Sequence, residues 1–285
     1  MKLETVEIRS IASGRDGDNE DRAGVAAPLA WVIDGATDVI SEPLTGRHSD
    51  AAWFAEGMHE LMTGLPWHTP ASLQDLPELV AGELAQRFAI DAKRKPSGRD
   101  EHPSASAIVV RLREDGLEYV SVGDCTLMVE TDGQRTFVGV DDEEAGDRWV
   151  VDALRGQSAD GNPTARPLTR ADLWPRLRQQ RATMNTAEGY GVFSITVPPT
   201  SMIRHGFIEV KPRSRVLLAT DGLMRLADVF KARNPQNLFD AAWTAGLAPL
   251  FGELRALETA DQDCTRHPRA KTSDDTSAVL LRITE

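Results

Sequence analysis

Cysteine is scarce in this sequence, and the two cysteines that it has do not form a recognisable site. Cys125 and Cys264 lie far apart and lack any metal-type spacing. No apolar stretch is long enough for a membrane span or a signal peptide. These absences predict no cysteine-held metal and no membrane anchor, and a reducing cytoplasm is the simplest location.

Positive charge is also in short supply. The chain has 32 basic and 44 acidic residues, which gives a formal net charge of -12 at pH 7. Because an acidic protein repels polyanions, we expect neither a nucleic-acid partner nor binding to an anionic membrane surface.

The sequence does contain enough apolar residues for one large core. Its 285 residues are 41% hydrophobic, which favours a single domain over 1–285. Several segments are unbroken apolar runs, such as "AWVI", "AIVV", "VLLA" and "SAVLL", which are typical of sheets covered on both faces. The predicted strands are Glu4–Ala12, Ala30–Ile33, Ala107–Leu112, Tyr119–Val122, Gly191–Thr196, Phe207–Val210, Val216–Ala219 and Ser277–Ile283.

Helical patterns lie between these strands. The predicted helices are Phe54–Leu65, Leu76–Phe88, Asp141–Gly156, Arg170–Met184 and Pro235–Glu258, the last divided near Gly246. The region around 141–190 is interpreted as a helical insertion that could gate the substrate, and its segment 156–167 as a loop rich in turn residues. An amphipathic helix with a solvated basic face is an equally good reading of the insertion.

Acidic residues stand at the ends of the predicted strands. Asp34 follows the run "LAWVI", and Asp124 lies in a Gly-Asp turn between two apolar strands. Asp221 follows "VLLAT", the pair Asp274 and Asp275 precedes the last strand, and a further acidic pair lies between the first two strands. Neighbouring strands of a sheet can bring their ends together, so these acids are consistent with one shared site.

Crowded carboxylates repel one another unless protons or cations neutralise them. Hard divalent cations such as magnesium take oxygen ligands, and two of them can clamp a phosphoryl group. Gly35, directly after Asp34, lets the chain turn sharply and offers a backbone carbonyl to a cation. The acids therefore predict a metal centre.

Taken singly, an Asp-Gly pair after a strand is most often a plain turn. The order of the motifs is more specific: "NED", "DGAT", "SASAIVV", "VGDC", "ATDGL" and "DDTSAVLL" follow one another over nearly the whole chain. This series resembles the metal-dependent type 2C protein serine/threonine phosphatases of bacterial type. The resemblance implies an α+β fold, an α-β-β-α sandwich in which two central antiparallel sheets are flanked by helices, with a two-metal site at one end.

The resemblance also implies roles for the acids. Asp34 would bridge two Mg²⁺ or Mn²⁺ ions, Gly35 would lend its carbonyl, and Asp221 and Asp274 would bind one ion. Asp275 stands where the family usually has asparagine. Both residues of that pair stay candidates, and Asp274 is preferred because its spacing to the following strand fits better.

A second group of residues would act on water and phosphate. Glu20 and Asp21 would hold metal-bound waters, and Asp124 with Asp221 would serve a weaker third ion. A phosphate-binding arginine usually precedes the acidic pair in the family, and Arg15 is the best placed. Asp21 and Arg15 are therefore the catalytic candidates.

The implied reaction is direct hydrolysis, in which a metal-bridging hydroxide attacks phosphorus without a phosphoenzyme. The sequence departs from the family where a histidine commonly follows Asp-Gly, because it has Ala36, Thr37 and Asp38 there. The missing proton donor could be a metal-bound water or another histidine; His48 is nearest, although a surface histidine before a helix is its more common role. Arg9 is the second candidate for phosphate.

Two classes of function stay open. The first is a Mg²⁺- or Mn²⁺-dependent phosphatase that acts on phosphoserine or phosphothreonine in proteins, or on a small phosphorylated metabolite, with a cognate kinase as a candidate partner. The second is a binding or regulatory module of the same fold that is weak or inactive, which the missing histidine suggests. Because every expected carboxylate is present, the sequence favours the enzyme.

Overall fold

The computed structural model describes residues 1–14, 19–64, 72–139 and 170–285, without the side chains of 170–172. Arg15, the predicted helix Asp141–Gly156 and the predicted loop 156–167 lie outside the described residues. Within them, no helix combines the length and the apolar character needed to cross a membrane.

Two antiparallel sheets form the centre of the molecule. The strands are β1 (Lys2–Ile11), β2 (Asp21–Ala26), β3 (Leu29–Gly35), β4 (Ser104–Leu112), β5 (Gly116–Val122), β6 (Thr126–Thr131), β7 (Gln134–Val138), β8 (Phe193–Ser194), β9 (Arg204–Glu209), β10 (Arg215–Ala219) and β11 (Thr276–Thr284). One sheet has the order β1-β11-β10-β6-β7, and the other has the order β2-β3-β4-β5-β9 with β8 paired to β4.

The α-helices of the described residues lie in three places along the chain: between β3 and β4, between β7 and β8, and between β10 and β11. They are α1 (Asp50–Gly64), α2 (Leu76–Asp91), α3 (Arg170–Ala182), α4 (Asp221–Asp228), α5 (Pro235–Ala245) and α6 (Leu247–Ala260). Gly246, with φ of 82°, separates α5 from α6, which confirms the predicted division.

Strand β3 shows why its sequence is apolar without a break. Leu29, Trp31 and Ile33 pack in one cluster with α1 and α2, whereas Ala30 and Val32 pack in a second cluster between the two sheets. Successive side chains of a strand point to opposite faces, and here both faces are buried.

The second sheet repeats this arrangement on its outer side. Leu217 and Leu280 pack against α4, α5 and α6, while Leu218 and Val279 face the first sheet. The layers are therefore helices, sheet, sheet and helices, which confirms the predicted α+β sandwich.

Several strands differ from the prediction. The predicted strands do not include β2 and β7, whereas β6 is the apolar strand expected after the turn at Asp124, and the predicted strand Gly191–Thr196 shortens to β8. Strand β7, "QRTFV", is a mostly polar sheet edge, and β2 begins with two charged residues and contains a glycine, so neither has the apolar pattern that identified the others.

Replacing Trp31 tests the contact between α1 and its sheet. The side chain is 1% exposed, its indole N–H donates to His59 Nδ1 at 3.2 Å, and its ring fills the space above Gly24. Trp31→Ala should lower the free energy of unfolding by about 3–5 kcal/mol because it leaves a large cavity. Urea denaturation measures the change; Trp31→Phe should cost clearly less, and equal losses for both variants would contradict the packing argument.

Candidate metal centre

The pairing of β2 with β3 places two acids opposite each other. Asp21, the first residue of β2, is the antiparallel partner of Asp34, the penultimate residue of β3. Asp21 is 1% exposed. Like charges directly opposite on neighbouring strands destabilise a sheet, so this pair needs neutralising partners.

The second sheet brings three more acids to the same end of the sandwich. Asp221 follows the end of β10, as predicted, and is also the first residue of α4, while Asp274 and Asp275 directly precede β11. The pairing of β10 with β11 brings these two chain segments side by side. The two sheets meet here through Thr220, whose hydroxyl donates to Asp21 Oδ2 at 2.9 Å.

Burial and mutual repulsion raise the pKa of two of these acids. Burial is the largest cause of the raised pKa of Asp34, followed by the charges of Asp221, Asp21 and Asp124, and Asp34 also shares a hydrogen bond with Asp221. Burial is also the largest cause of the raised pKa of Asp21. The charges of nearby aspartates raise it further, whereas the Thr220 hydrogen bond lowers it. The raised pKa of Asp34 reflects a repulsion that a bound cation would relieve as well as a proton does.

Glu20 is held by four contacts. Its side chain accepts hydrogen bonds from Thr37 Oγ1 and Ser49 Oγ, each at 2.5 Å. Its carbonyl accepts from the Gly35 amide at 3.1 Å, and its own amide donates to Asp275 Oδ2 at 2.7 Å. Both carboxylate oxygens of Glu20 are therefore engaged by hydroxyls of the protein.

Asp275 and Asp274 have different partners. The two oxygens of Asp275 accept backbone amides, from Ser13 at 2.6 Å and from Glu20 at 2.7 Å. The two oxygens of Asp274 contact cations: Lys271 Nζ lies 2.8 Å from Oδ1, and Arg225 Nη2 lies 2.6 Å from Oδ2. Asp275 thus holds the backbone on both sides of residues 15–18, whereas Asp274 is part of an ion network.

The cations govern the titration of Asp274. Burial by itself would raise the pKa of Asp274, but Lys271 and Arg225 hold it below its ordinary value. Burial would likewise lower the pKa of Lys271, yet Asp274 foremost, then Glu20 and Asp34, raise it above its ordinary value. Both groups therefore keep their charges at neutral pH.

Two glycines allow the chain segments of the site to approach closely. A Cβ at Gly35 would lie 2.5 Å from the Glu20 carbonyl oxygen, and a Cβ at Gly222 would lie 2.0 Å from that of Asp275. Each glycine directly follows one of the central aspartates, Asp34 or Asp221. The Asp-Gly pairs of the sequence are needed here for close packing.

The donor chemistry fits a divalent cation on the Asp34 side of the cluster. In residues 1–14, 19–64, 72–139 and 170–285, no three His, Cys, Asp or Glu side chains are arranged to hold a metal ion. Asp34 and Asp21 are nevertheless desolvated oxygen donors, and the charge of Asp221 acts on both of them. Such a set suits Mg²⁺ or Mn²⁺.

The other candidates of the sequence analysis lie apart from this pairing. Arg9 pairs with Glu7 at 3.2 Å, and His48 is exposed two residues before α1. Cys125 is buried, and burial followed by the nearby aspartates raises its pKa, so it is a packed thiol and not a nucleophile.

Sequence reasoning missed Lys271, Arg225 and Thr220. Arg225 stands four residues after Asp221, one helical turn, so it could have been read as a side chain on the same helical face. Lys271 precedes Asp274 by three residues in a loop, where no periodicity signals a contact.

Helix α3, the described part of the predicted insertion, is tied to the loop after Gly35. Arg181 donates to the Thr37 carbonyl at 3.1 Å, to the Ala36 carbonyl at 3.4 Å and to Ser104 Oγ at 3.1 Å. A substrate-gating role for 141–190 stays a prediction.

A polar cavity lies between α1 and α2, apart from the acids. Its volume is 520 Å³, and it shares no lining residue with the metal-ligand candidates. Its acids are already bonded: Glu56 to Arg22 at 2.6 Å and Glu60 to Arg87 at 3.1 Å.

Asp34→Asn tests the repulsion directly. Since the pKa of Asp34 is raised in the folded state, wild-type protein loses stability as pH rises. In chelator at pH 7.5 the variant should gain on the order of 1–2 kcal/mol in free energy of unfolding, and less at pH 5. Denaturant titrations measure both values. Asp115→Asn, an exposed site, is the control, and a destabilised Asp34→Asn would contradict the argument.

Asp38 predicts a second pH dependence. Burial, then Asp50 and Glu20, raise its pKa to about 6, although its Oδ2 accepts the Asp50 amide at 2.8 Å. The folded state therefore favours the protonated acid, and this stabilisation is lost as pH rises through 6. Between pH 5 and 8, wild type should lose about 1.4 kcal/mol relative to Asp38→Asn, whose amide oxygen keeps the hydrogen bond. Parallel profiles for the two proteins would refute this.

The comparisons with known proteins rest on structure. No family model and no curated protein matches the sequence. The serine/threonine phosphatase PstP/Ppp of Mycobacterium tuberculosis matches at 16% identity with a TM-score of 0.60, covering 100% of both chains. The PstP catalytic domain in complex with two manganese ions matches at 16% identity and a TM-score of 0.56, over 100% of this chain and 99% of that one. The S. agalactiae serine/threonine phosphatase matches at 12% identity and 0.55, over 99% of each. The chain therefore has the fold of these bacterial serine/threonine phosphatases, as its resemblance to the type 2C family predicts.

Proposed function

We propose that this protein is a phosphatase that hydrolyses phosphoserine or phosphothreonine monoesters with the help of Mg²⁺ or Mn²⁺. The observation that carries the proposal is the meeting of Asp21, Asp34, Asp124 and Asp221 at one end of the two sheets. Desolvated acids that raise each other's pKa occur mostly where chemistry needs them. The likeness of the fold to bacterial phosphatases supports the same reading.

Acids from the ends of both sheets would hold the cation. Asp34 and Asp221 would be its central ligands, together with the Gly35 carbonyl, and Asp21 and Glu20 would orient water around it. When bound, the ion supplies Lewis-acid stabilisation of charge on the phosphoryl oxygens and an activated water nucleophile. Thr220 fixes Asp21 in place through its 2.9 Å hydrogen bond.

Cysteine chemistry does not offer this chain a covalent, phosphoenzyme route. Cys125 is buried with a raised pKa, so it offers no thiolate for a phosphoenzyme. Direct attack by water on phosphorus is therefore the reaction that these residues suit. His48, the nearest histidine in the sequence, is an exposed residue before α1. We therefore expect water to supply the proton for the leaving group.

A specific observation favours a second candidate function. Asp274 is neutralised by Lys271 and Arg225, and both carboxylate oxygens of Glu20 are bonded to hydroxyls. Such engagement would suit a phosphatase-fold module that binds phosphorylated ligands with little turnover.

The proposed substrate is a phosphorylated protein or a small phosphoester, and a cognate kinase is a candidate partner. A cytoplasmic location stays a prediction.

An assay with and without metal decides between the two functions. Wild-type protein stripped with chelator should hydrolyse p-nitrophenyl phosphate and phosphothreonine peptides only after Mn²⁺ or Mg²⁺ is added back. Asp34→Asn and Asp221→Asn should each lower kcat at least about hundredfold, because the ion supplies several kcal/mol of transition-state stabilisation.

Asp115→Asn serves as the matched control and should retain wild-type kcat. Full activity in excess chelator would contradict the metal mechanism. Tight phosphopeptide binding without turnover in any metal would favour the binding module.

A further inference from the structure

The Asp274 end of the acidic cluster carries its own positive charges. Lys271 Nζ lies 2.8 Å from Asp274 Oδ1 and Arg225 Nη2 lies 2.6 Å from Oδ2, so each oxygen contacts one cation. Arg225 is almost fully buried and also bonds Glu258 at 3.3 Å. Asp274 is 15% exposed and Lys271 is 24% exposed, so water screens the contact only in part.

The Lys271 ammonium also lies in the field of the acids that face it from other elements. Glu20, before β2, and Asp34, on β3, both attract it, in addition to Asp274. Its direct contact is with Asp274, and the more distant acids add to the attraction that holds the ammonium there.

The two halves of the cluster differ in charge. On one side Asp34 meets Asp221, Asp21 and Asp124, which are all acids. On the other side Asp274 already has Lys271 and the Arg225 guanidinium. A dication at Asp274 would be placed against both of these cations, and like charges at such distances repel strongly in a partly buried site.

We propose that the Lys271 ammonium takes the place of one divalent ion at Asp274, so that this chain binds a single ion tightly, on the Asp34 side. The proposal rests on the metal centre of the proposed function and specifies its stoichiometry. It contrasts with the PstP catalytic domain, which was solved in complex with two manganese ions. The ammonium can attract a phosphoryl oxygen, but it cannot activate water as a metal ion does.

Titration of the chelator-stripped protein, residues 1–285, with Mn²⁺ tests the stoichiometry. Free Mn²⁺ is followed by electron paramagnetic resonance and heat by isothermal calorimetry, neither of which depends on catalysis. Wild type should bind one Mn²⁺ tightly. Lys271→Met keeps the length of the side chain and removes its charge. Its affinity for a second Mn²⁺ should be at least tenfold higher than the affinity of wild type for a second Mn²⁺.

Two further variants keep the test decisive if Lys271→Met folds poorly. Lys271→Arg retains the charge and should bind one ion. Asp274→Asn should keep the tight ion, because Asp274 is not its ligand. Lys211→Met, which removes an exposed charge paired with Asp132, is the control and should behave as wild type.

Each result has a defined meaning. Two tight Mn²⁺ ions in wild type, unchanged by Lys271→Met, would overturn the role of Lys271 and leave the proposed phosphatase standing. Loss of the tight ion in Asp274→Asn would also overturn it. If neither wild type nor any variant binds Mn²⁺, both proposals are overturned. Fluorescence spectra and unfolding curves check in every case that the variants are folded.

Discussion

The antiparallel register of β2 and β3 is the constraint on which the site depends, because it fixes the carboxylates of Asp21 and Asp34 opposite each other. The remaining acids gather round this pair, and each is neutralised differently. Asp21 accepts a hydrogen bond from the Thr220 hydroxyl, Asp34 has a raised pKa that favours its protonated form, and Asp274 has cations on both oxygens. A site with three kinds of neutralisation responds unevenly to an added metal, since a proton leaves more readily than a fixed ammonium or guanidinium group.

Much of the fold follows from hydrophobic pattern. The unbroken runs of β3, β4, β10 and β11 indicated strands buried on both faces, and the structure gives each of them one face toward helices and one toward the other sheet. Gly246 marked the break between two helices because a positive φ favours glycine. Strands β2 and β7 escaped prediction because half-exposed, polar segments have no strong pattern and take their structure from the neighbour with which they pair.

The candidate site was predictable to a smaller extent. The order of the acidic motifs led to the residues that meet at the sheet ends, and Asp34 with Asp221 follows from that order. The different roles of Asp274 and Asp275 could not be read from two adjacent aspartates, because they depend on the partners of each side chain. Asp274 contacts cations, whereas Asp275 accepts the Ser13 and Glu20 amides. Contacts between distant loops leave no periodic trace in a sequence.

Hydrogen bonds of Arg181 connect α3 to the loop that holds Glu20. Its guanidinium bonds the carbonyls of Ala36 and Thr37, the same short loop whose Thr37 hydroxyl bonds Glu20. A sideways shift of the helix must either break these bonds or drag the loop, and with it the Glu20 carboxylate. A displacement of α3 that keeps these bonds is thus transmitted to Glu20 through two hydrogen-bonded residues, Arg181 and Thr37.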